Sequence, residues 1–244
     1  MAAESRRDGV RSSLLWDVLG EAASALTAET GRTALDIVDV GGGTGGLAVR
    51  FASLGHSVTV VDPSPDALAA AQRRAAEAGA RLAAVQGEAG SLDSVAGMAA
   101  ADLVICHSVL EYVDSPAEAM AAIARVLRSR ATVSVLASNA VAAVLHRALA
   151  GRFAEARMLV TADSGAQAGA PRRFTLDGLT ALIEGAGLRA GQAHGVRIFS
   201  GLVPAALVDG EPGSSEALRT LEAAVALTPP LRDIAAQLHI LGHR

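Results

Sequence analysis

At 244 residues, with 51% apolar side chains, the chain has the length and material for one α/β domain with insertions around a sizeable core. Arginine supplies every Lys/Arg-type charge, the formal net charge is −4 and Cys106 is the single cysteine, so an internal disulfide is excluded and any grip on nucleic-acid phosphates must be local. Arg6, Arg7 and Arg11 lead into no uncharged apolar core with a cleavage site, and the weakly charged run 131–145 is too short to span a bilayer; a cytoplasmic protein without membrane contact is expected.

Residues 1–10 are polar and are expected to lie outside regular structure. Leu14, Leu15, Val18 and Leu19 recur at helical spacing, which predicts a first helix over 10–28. An apolar strand over 35–40 then runs into Gly41-Gly42-Gly43-Thr44-Gly45-Gly46. Glycine turns sharply and lets a ligand meet bare backbone, and the first N–H groups of a helix over 47–52 would face that ligand. Asp62 ends a second strand, 57–61, about where an acidic side chain meets ribose hydroxyls in a doubly wound sheet.

Two ligands compete for this loop. Gly41, Gly43 and Gly46 satisfy the G-x-G-x-x-G spacing of dinucleotide folds, whereas Asp39, Gly41, Gly43 and Gly45 read D-x-G-x-G-x-G. A carboxylate at residue 39 opposes a pyrophosphate and suits a ligand bearing an ammonium and a sulfonium.

Pro63 and Pro65 allow a turn and a helix start, with an alanine-rich helix over 68–78 and a third strand over 81–86 leading to Gly87-Glu88-Ala89-Gly90. The unbroken apolar run 102–106 is a buried fourth strand ending at His107; a helix from Pro116 and a fifth strand over 131–137 follow. Alternating strands and helices argue for a parallel sheet whose ligand crevice lies at the carboxyl ends of the strands. The glycine loop, Asp62, the Glu88-Ala89 turn and His107 all follow strand ends and can converge there.

Beyond residue 138 the pattern predicts a helix over 139–149, a loop-rich insertion over 152–173, a helix over 175–186, a strand over 188–199, a helix over 216–227 and a last strand over 234–241. The chain is expected to be a single domain, 1–244, with an N-terminal helix (10–28), a cofactor-binding half (35–137) and a substrate-side half (138–244). No cluster has metal-ligand spacing, so no metal is expected.

The D-x-G-x-G-x-G loop resembles motif I of the class I S-adenosylmethionine-dependent methyltransferases, and Cys106-His107-Ser108-Val109-Leu110-Glu111-Tyr112 resembles their motif after the fourth strand. With 10–16, 139–153 and 195–199, these segments look like the bacterial tRNA 5-carboxymethoxyuridine methyltransferases. The similarity extends over roughly 10–242 and is more specific for the class than for the subfamily. The resemblance implies an α/β fold: a doubly wound, mostly parallel seven-stranded sheet with helices on both faces and a small insertion after strand 5. It also implies S-adenosyl-L-methionine as cofactor, Arg11 on the methionyl carboxylate, Gly41 and Gly42 at the methionine end, Asp62 on the ribose, Ala89 and Gly90 at the adenine edge, and His107 beside the sulfonium. Gly43 and Pro63 in the flanking loops join this set. Glu88 could reach an adenine amine or face solvent; Trp16 and Tyr112 could cover the ligand or belong to the core.

The family's acceptor is a carboxylate on a modified wobble uridine of tRNA. A carboxyl group with an ordinary pKa of about 4 is ionised at neutral pH and needs no general base, which agrees with the lack of an Asn/Asp-Pro-Pro-aromatic tetrad after the fourth strand. Arg197, in an otherwise apolar segment, is the candidate for holding that carboxylate, with an internal ion pair as the alternative. His107 is a second candidate catalytic residue. Phosphates of tRNA could meet Arg172 and Arg173, with Arg147, Arg152 and Arg157, yet the family's lysine-rich insertion is here Ser164-Gly165-Ala166-Gln167-Ala168-Gly169-Ala170. A small-molecule acid is therefore a rival acceptor, and a non-catalytic cofactor-binding module or an NAD-linked dehydrogenase are rival readings of the whole.

Overall fold

The computed structural model describes residues 2–97, 100–161, 171–204, 207–208 and 213–244, with side chains from residue 14 onward. Seven strands are present: β1 (Asp36–Val40), β2 (Ser57–Asp62), β3 (Ala83–Gln86), β4 (Ala101–His107), β5 (Leu127–Ser138), β6 (Arg189–Val196) and β7 (Gln237–His243). They form one mostly parallel sheet in the order β3-β2-β1-β4-β5-β7-β6. The helices are α1 (Ala2–Thr30), α2 (Gly46–Ser53), α3 (Pro65–Glu77), α4 (Leu92–Ala96), α5 (Pro116–Val126), α6 (Ala140–Leu149), α7 (Phe153–Thr161), α8 (Leu176–Gly185) and α9 (Ser214–Val225). This is the expected Rossmann-like arrangement.

Contacts group the chain into two compact units. One comprises Glu21–Leu136, Thr180–Gly191 and Ile240–Arg244. Its strands β3, β2, β1, β4 and β5 pair in parallel, with Asp39 opposite Val60 on one side and Ile105 on the other. Parallel pairing brings the carboxyl ends of these strands to one edge, as a crevice there requires. Leu103, Val104, Ile105 and Cys106 are fully buried, which an apolar run in a strand covered on both faces demands. Helices α3 and α5 start alike: Ser64 accepts from the Ala67 N–H and Ser115 from the Glu118 N–H, each with proline next.

At the amino end of β1 a compact ion network ties the sheet. Arg32 and Arg128 each reach both Asp36 and the buried Asp102 at 2.6–3.2 Å, and Asp102 also accepts the Asp36 N–H at 2.8 Å.

The other unit comprises Met1–Gly20, Ala137–Leu179 and Gln192–His239. Its buried Asn139 caps α6 by accepting from the Val141 N–H, while its amide donates to the carbonyls of Asp233 (2.9 Å) and Ala235 (2.7 Å). One side chain thus joins segments about a hundred residues apart.

Three expectations need correction. Helix α1 begins at Ala2 instead of near residue 10. The segment expected to be loop-rich contains α7, because 153–161 holds no glycine or proline and is rich in good helix formers; 162–170 lie outside the described residues. The strand expected to reach residue 199 stops at Val196, since Arg197 adopts φ +61°, a left-handed conformation no strand can continue. Among the described residues no helix is long and apolar enough to cross a membrane.

Candidate functional site

The glycine loop closes by backbone contacts that leave no room for side chains. Gly41 donates to the Val61 carbonyl at 2.7 Å and has φ +63°; a Cβ there would lie 2.4 Å from Val109 Cγ2. A Cβ on Gly42 would lie 2.6 Å from Asp39 Oδ2, so the Asp39 carboxylate is packed directly beneath this residue. Glycine at both positions is what lets strand β1, its carboxylate and the segment after β4 approach one another.

Asp62 anchors the opposite side of the loop. Its Oδ2 accepts the Gly43 N–H at 2.9 Å and its Oδ1 the Ser64 N–H at 2.9 Å. A carboxylate offers about four acceptor positions, so two backbone donors leave it capacity for ligand hydroxyls.

A cleft of about 550 Å³ opens at this edge, in the size range of small-molecule sites. Val40, Gly41, Asp62 and Pro63 form one wall, and the turn Gly87-Glu88-Ala89-Gly90, continuing into a 3₁₀ turn at Ala89–Ser91, forms another. Ser108, Val109 and Tyr112 to Ser115, with Glu118, complete it. Its charged lining is entirely acidic: Asp62, Glu88, Asp114 and Glu118, with no arginine or histidine among the described lining residues.

Beneath the loop the electrostatics intensify. Asp39 is 4% exposed, and burial, followed by the neighbouring Asp62 charge, raises its pKa from 3.8 to about 7. Burial and the carboxylates of Glu111 and Asp39 push the Cys106 thiol well above its ordinary value, so this cysteine is no nucleophile.

The structure therefore brings Gly41, Asp62, Pro63, Glu88, Ala89 and Gly90 together on one cleft, while Gly42, Gly43 and Asp39 support its floor. His107 ends β4, and its Nε2 lies 2.7 Å from the Oγ of buried Ser134 on β5, which fixes the ring; it is not part of the cleft lining. The Arg11 side chain lies outside the described residues. Arg197 belongs to the other unit, immediately after β6. Among the described residues it has no carboxylate partner, and its Nε is buried without a hydrogen bond.

Sequence reasoning missed Ser108, Asp114, Ser115 and Glu118 as cleft residues. Ser108 carries a signal only in its backbone, φ +57° in a non-glycine residue, a strained conformation common at functional sites. Pro116 was legible as a helix start, and the helix it opens sets Asp114 and Glu118 at the cleft rim.

Residues 38–135 match the family described as "Methyltransferase domain". The tRNA 5-carboxymethoxyuridine methyltransferase of Escherichia coli (strain K12) is 30% identical over 150 residues, 59% of this chain and 54% of that protein. The chain thus spans about half the length of the curated relatives it matches. A SAM-dependent methyltransferase structure from Methanosarcina mazei is similar with a TM-score of 0.59 at 16% identity, covering 87% of this chain and 93% of that one. The magnesium protoporphyrin IX methyltransferase of Synechocystis PCC 6803, solved with bound SAH, gives 0.58 at 15% identity, covering 98% and 83%. At such identities the structural likenesses speak for the fold. Sheet order, glycine loop and matched segment agree: residues 38–135 match a methyltransferase domain, and the sheet around them has the Rossmann-like arrangement of these structural neighbours.

Proposed function

We propose that the protein is an enzyme that transfers a methyl group from S-adenosyl-L-methionine to a carboxylate. The observation that carries the cofactor half of this reading is that the charged residues described in the lining of the cleft beside the glycine loop are all acidic. Four carboxylates repel a pyrophosphate, which disfavours NAD, and attract a ligand bearing a sulfonium and an ammonium. When bound, the cofactor supplies an activated methyl group.

The chain's own residues would then hold and orient. Backbone at Gly41 and Gly42 meets the methionine end, with Arg11 on its carboxylate. Asp62, already aligned by the N–H groups of Gly43 and Ser64, offers its remaining lone pairs to ribose hydroxyls. Glu88, Ala89 and Gly90 face the adenine, with Pro63 against the sugar side. Tyr112, 72% exposed on the cleft rim, is free to fold over the ligand and exclude water. His107, held by Ser134 outside the cleft lining, is assigned an orienting role at the sulfonium side by the family resemblance. A carboxylate acceptor carries no proton to remove, so no base is needed and positioning supplies the rate.

Arg197, a guanidinium without a carboxylate partner among the described residues, is assigned to the acceptor's carboxylate. The relative named tRNA 5-carboxymethoxyuridine methyltransferase supports a modified wobble uridine as the carrier of that carboxylate. One observation favours a small acid instead: Arg147 and Arg152 both reach Glu155, at 3.0 and 3.9 Å, which weakens their pull on phosphates.

Calorimetry with S-adenosylhomocysteine and with NADH tests the cofactor; heat from NADH alone rejects it. Methyl-labelled cofactor incubated with bulk tRNA and with a metabolite extract tests the acceptor. Label released as methanol by mild alkali identifies an ester, and alkali-stable label removes the carboxylate reading. No transfer to either pool favours a non-catalytic binding module.

A further inference from the structure

The turn after β6 leaves two polar atoms without partners. Arg197 turns the chain at φ +61°, and its carbonyl accepts the Ala236 N–H at 3.1 Å. Glu222 on α9, 3% exposed, accepts the N–H groups of Ile198 (2.8 Å), Phe199 (2.9 Å) and Ser200 (2.6 Å). The turn is thereby fixed, and the Glu222 carboxylate is committed to backbone. What remains is the buried Nε of Arg197 and the Oγ of Ser200, a residue only 1% exposed; neither has a hydrogen-bond partner among the described residues. The first can only donate and the second can donate, and a buried donor with no acceptor is costly.

His146 on α6 stands against the same turn. Its Nε2 lies 3.5 Å from where a Cβ on Gly201 would sit, which is ordinary contact distance. Burial, then the charges of Arg197 and Arg147, push its pKa below the ordinary histidine value, so the ring is neutral and carries one N–H.

We propose that Arg197, Ser200 and His146 form a binding site for a single carboxylate, in which the Ser200 hydroxyl and the His146 N–H donate beside the guanidinium. The identification of that anion as the methyl acceptor rests on the function proposed above; the anion site itself does not. One cation flanked by two neutral donors matches the single charge and several lone pairs of a carboxylate better than the double charge of phosphate. The unpaired Ser200 hydroxyl also distinguishes this reading from a structural one. A buried hydroxyl that bonds nothing in the protein costs the fold free energy, and a bound acceptor would relieve that cost.

The test titrates sodium acetate into the full chain at constant ionic strength, following the ¹H–¹⁵N resonance of Arg197 Nε–H, with inorganic phosphate as the second arm. Acetate is expected to shift that resonance saturably and to bind more tightly than phosphate. Ser200→Ala should weaken acetate binding about tenfold without lowering the thermal midpoint, and His146→Phe should weaken it several-fold. Unchanged acetate binding in both variants, a non-saturating response, or phosphate binding more tightly overturns the site. A lower thermal midpoint in Ser200→Ala with unchanged acetate affinity makes the residue structural and also overturns it. S-adenosylhomocysteine calorimetry on the same samples separates the two levels. Lost cofactor heat with saturable acetate binding leaves the site and removes the methyl-acceptor assignment; intact cofactor heat without acetate binding removes the site alone.

Discussion

Strand β1 carries two aspartates three residues apart whose surroundings are opposite. Asp36, at the amino end, shares Arg32 and Arg128 with Asp102 in a network of four ion pairs. Asp39, near the carboxyl end, is buried beneath Gly42, is perturbed by a second carboxylate, and has no cation facing it among the described residues. The first arrangement is self-sufficient and serves folding. The second is an incomplete circuit that a cationic ligand would close. On a single five-residue strand, one end is tied into ion pairs, and the other is the end that the proposed function assigns to the ligand.

The sharpest way to break this contrast is to neutralise each end in turn. Asp39 has a folded-state pKa of about 7, against 3.8 for an unperturbed aspartate. A raised carboxylate pKa means that the folded state holds the proton longer. The associated stability is fully present below about pH 4 and is lost as pH rises through 7. Asp39→Asn should therefore stabilise the ligand-free protein above pH 7 by on the order of 4 kcal/mol and change little at pH 4. Denaturant unfolding at the two pH values measures this, and a variant no more stable than the parent at pH 8 contradicts the assignment.

At the other end the sign reverses. Asp102 is 3% exposed, while Arg32 and Arg128 are about one-third exposed. Asp102→Ala takes one of two carboxylates from each guanidinium and leaves the Asp36 N–H without its acceptor, at a cost of about 3 kcal/mol, below the upper range for fully buried pairs because both arginines keep Asp36 and some water. The same unfolding experiment should show this loss at pH 7 with cofactor affinity retained per folded molecule. Between these extremes, Gly42→Ala drives a methyl group into the Asp39 carboxylate and should weaken S-adenosylhomocysteine by about thirtyfold, on the order of 2 kcal/mol. Calorimetry reads that change, and an unaltered affinity would show that the carboxylate beneath the loop has room to move.

The sequence made one of these two ends readable and hid the other. Asp39 announced itself through its fixed spacing to Gly41, Gly43 and Gly45, and Asp62 and Glu88 through their places just after strands. Those are local signals, carried by apolar runs and by glycine and proline punctuation. The Arg32–Asp36–Asp102–Arg128 network is assembled from separate segments, and no local pattern marks it. Arg197 shows the same limit more sharply. Val196-Arg197-Ile198-Phe199 reads as strand, yet Glu222, twenty-odd residues later, captures the N–H groups that a ladder would have used. Helix α7 was obscured by the glycine-rich stretch beyond it, which drew the whole insertion toward a loop. Distances within an element are legible; captures between elements are not.

The finest test of the ligand end concerns protons instead of substitutions. A ligand with an ammonium group above the glycine loop favours the ionised form of Asp39, so binding must release the proton that the buried carboxylate holds below pH 7. The affinity for S-adenosylhomocysteine should rise about tenfold from pH 6 to pH 8 and level off above that. 5′-Methylthioadenosine, which lacks the amino-acid tail, should bind with no such slope, since nothing cationic then faces residue 39. In Asp39→Asn both ligands should be flat. A slope for S-adenosylhomocysteine that survives this substitution would assign the proton to another group, and the two ends of β1 would no longer differ in the way their surroundings imply.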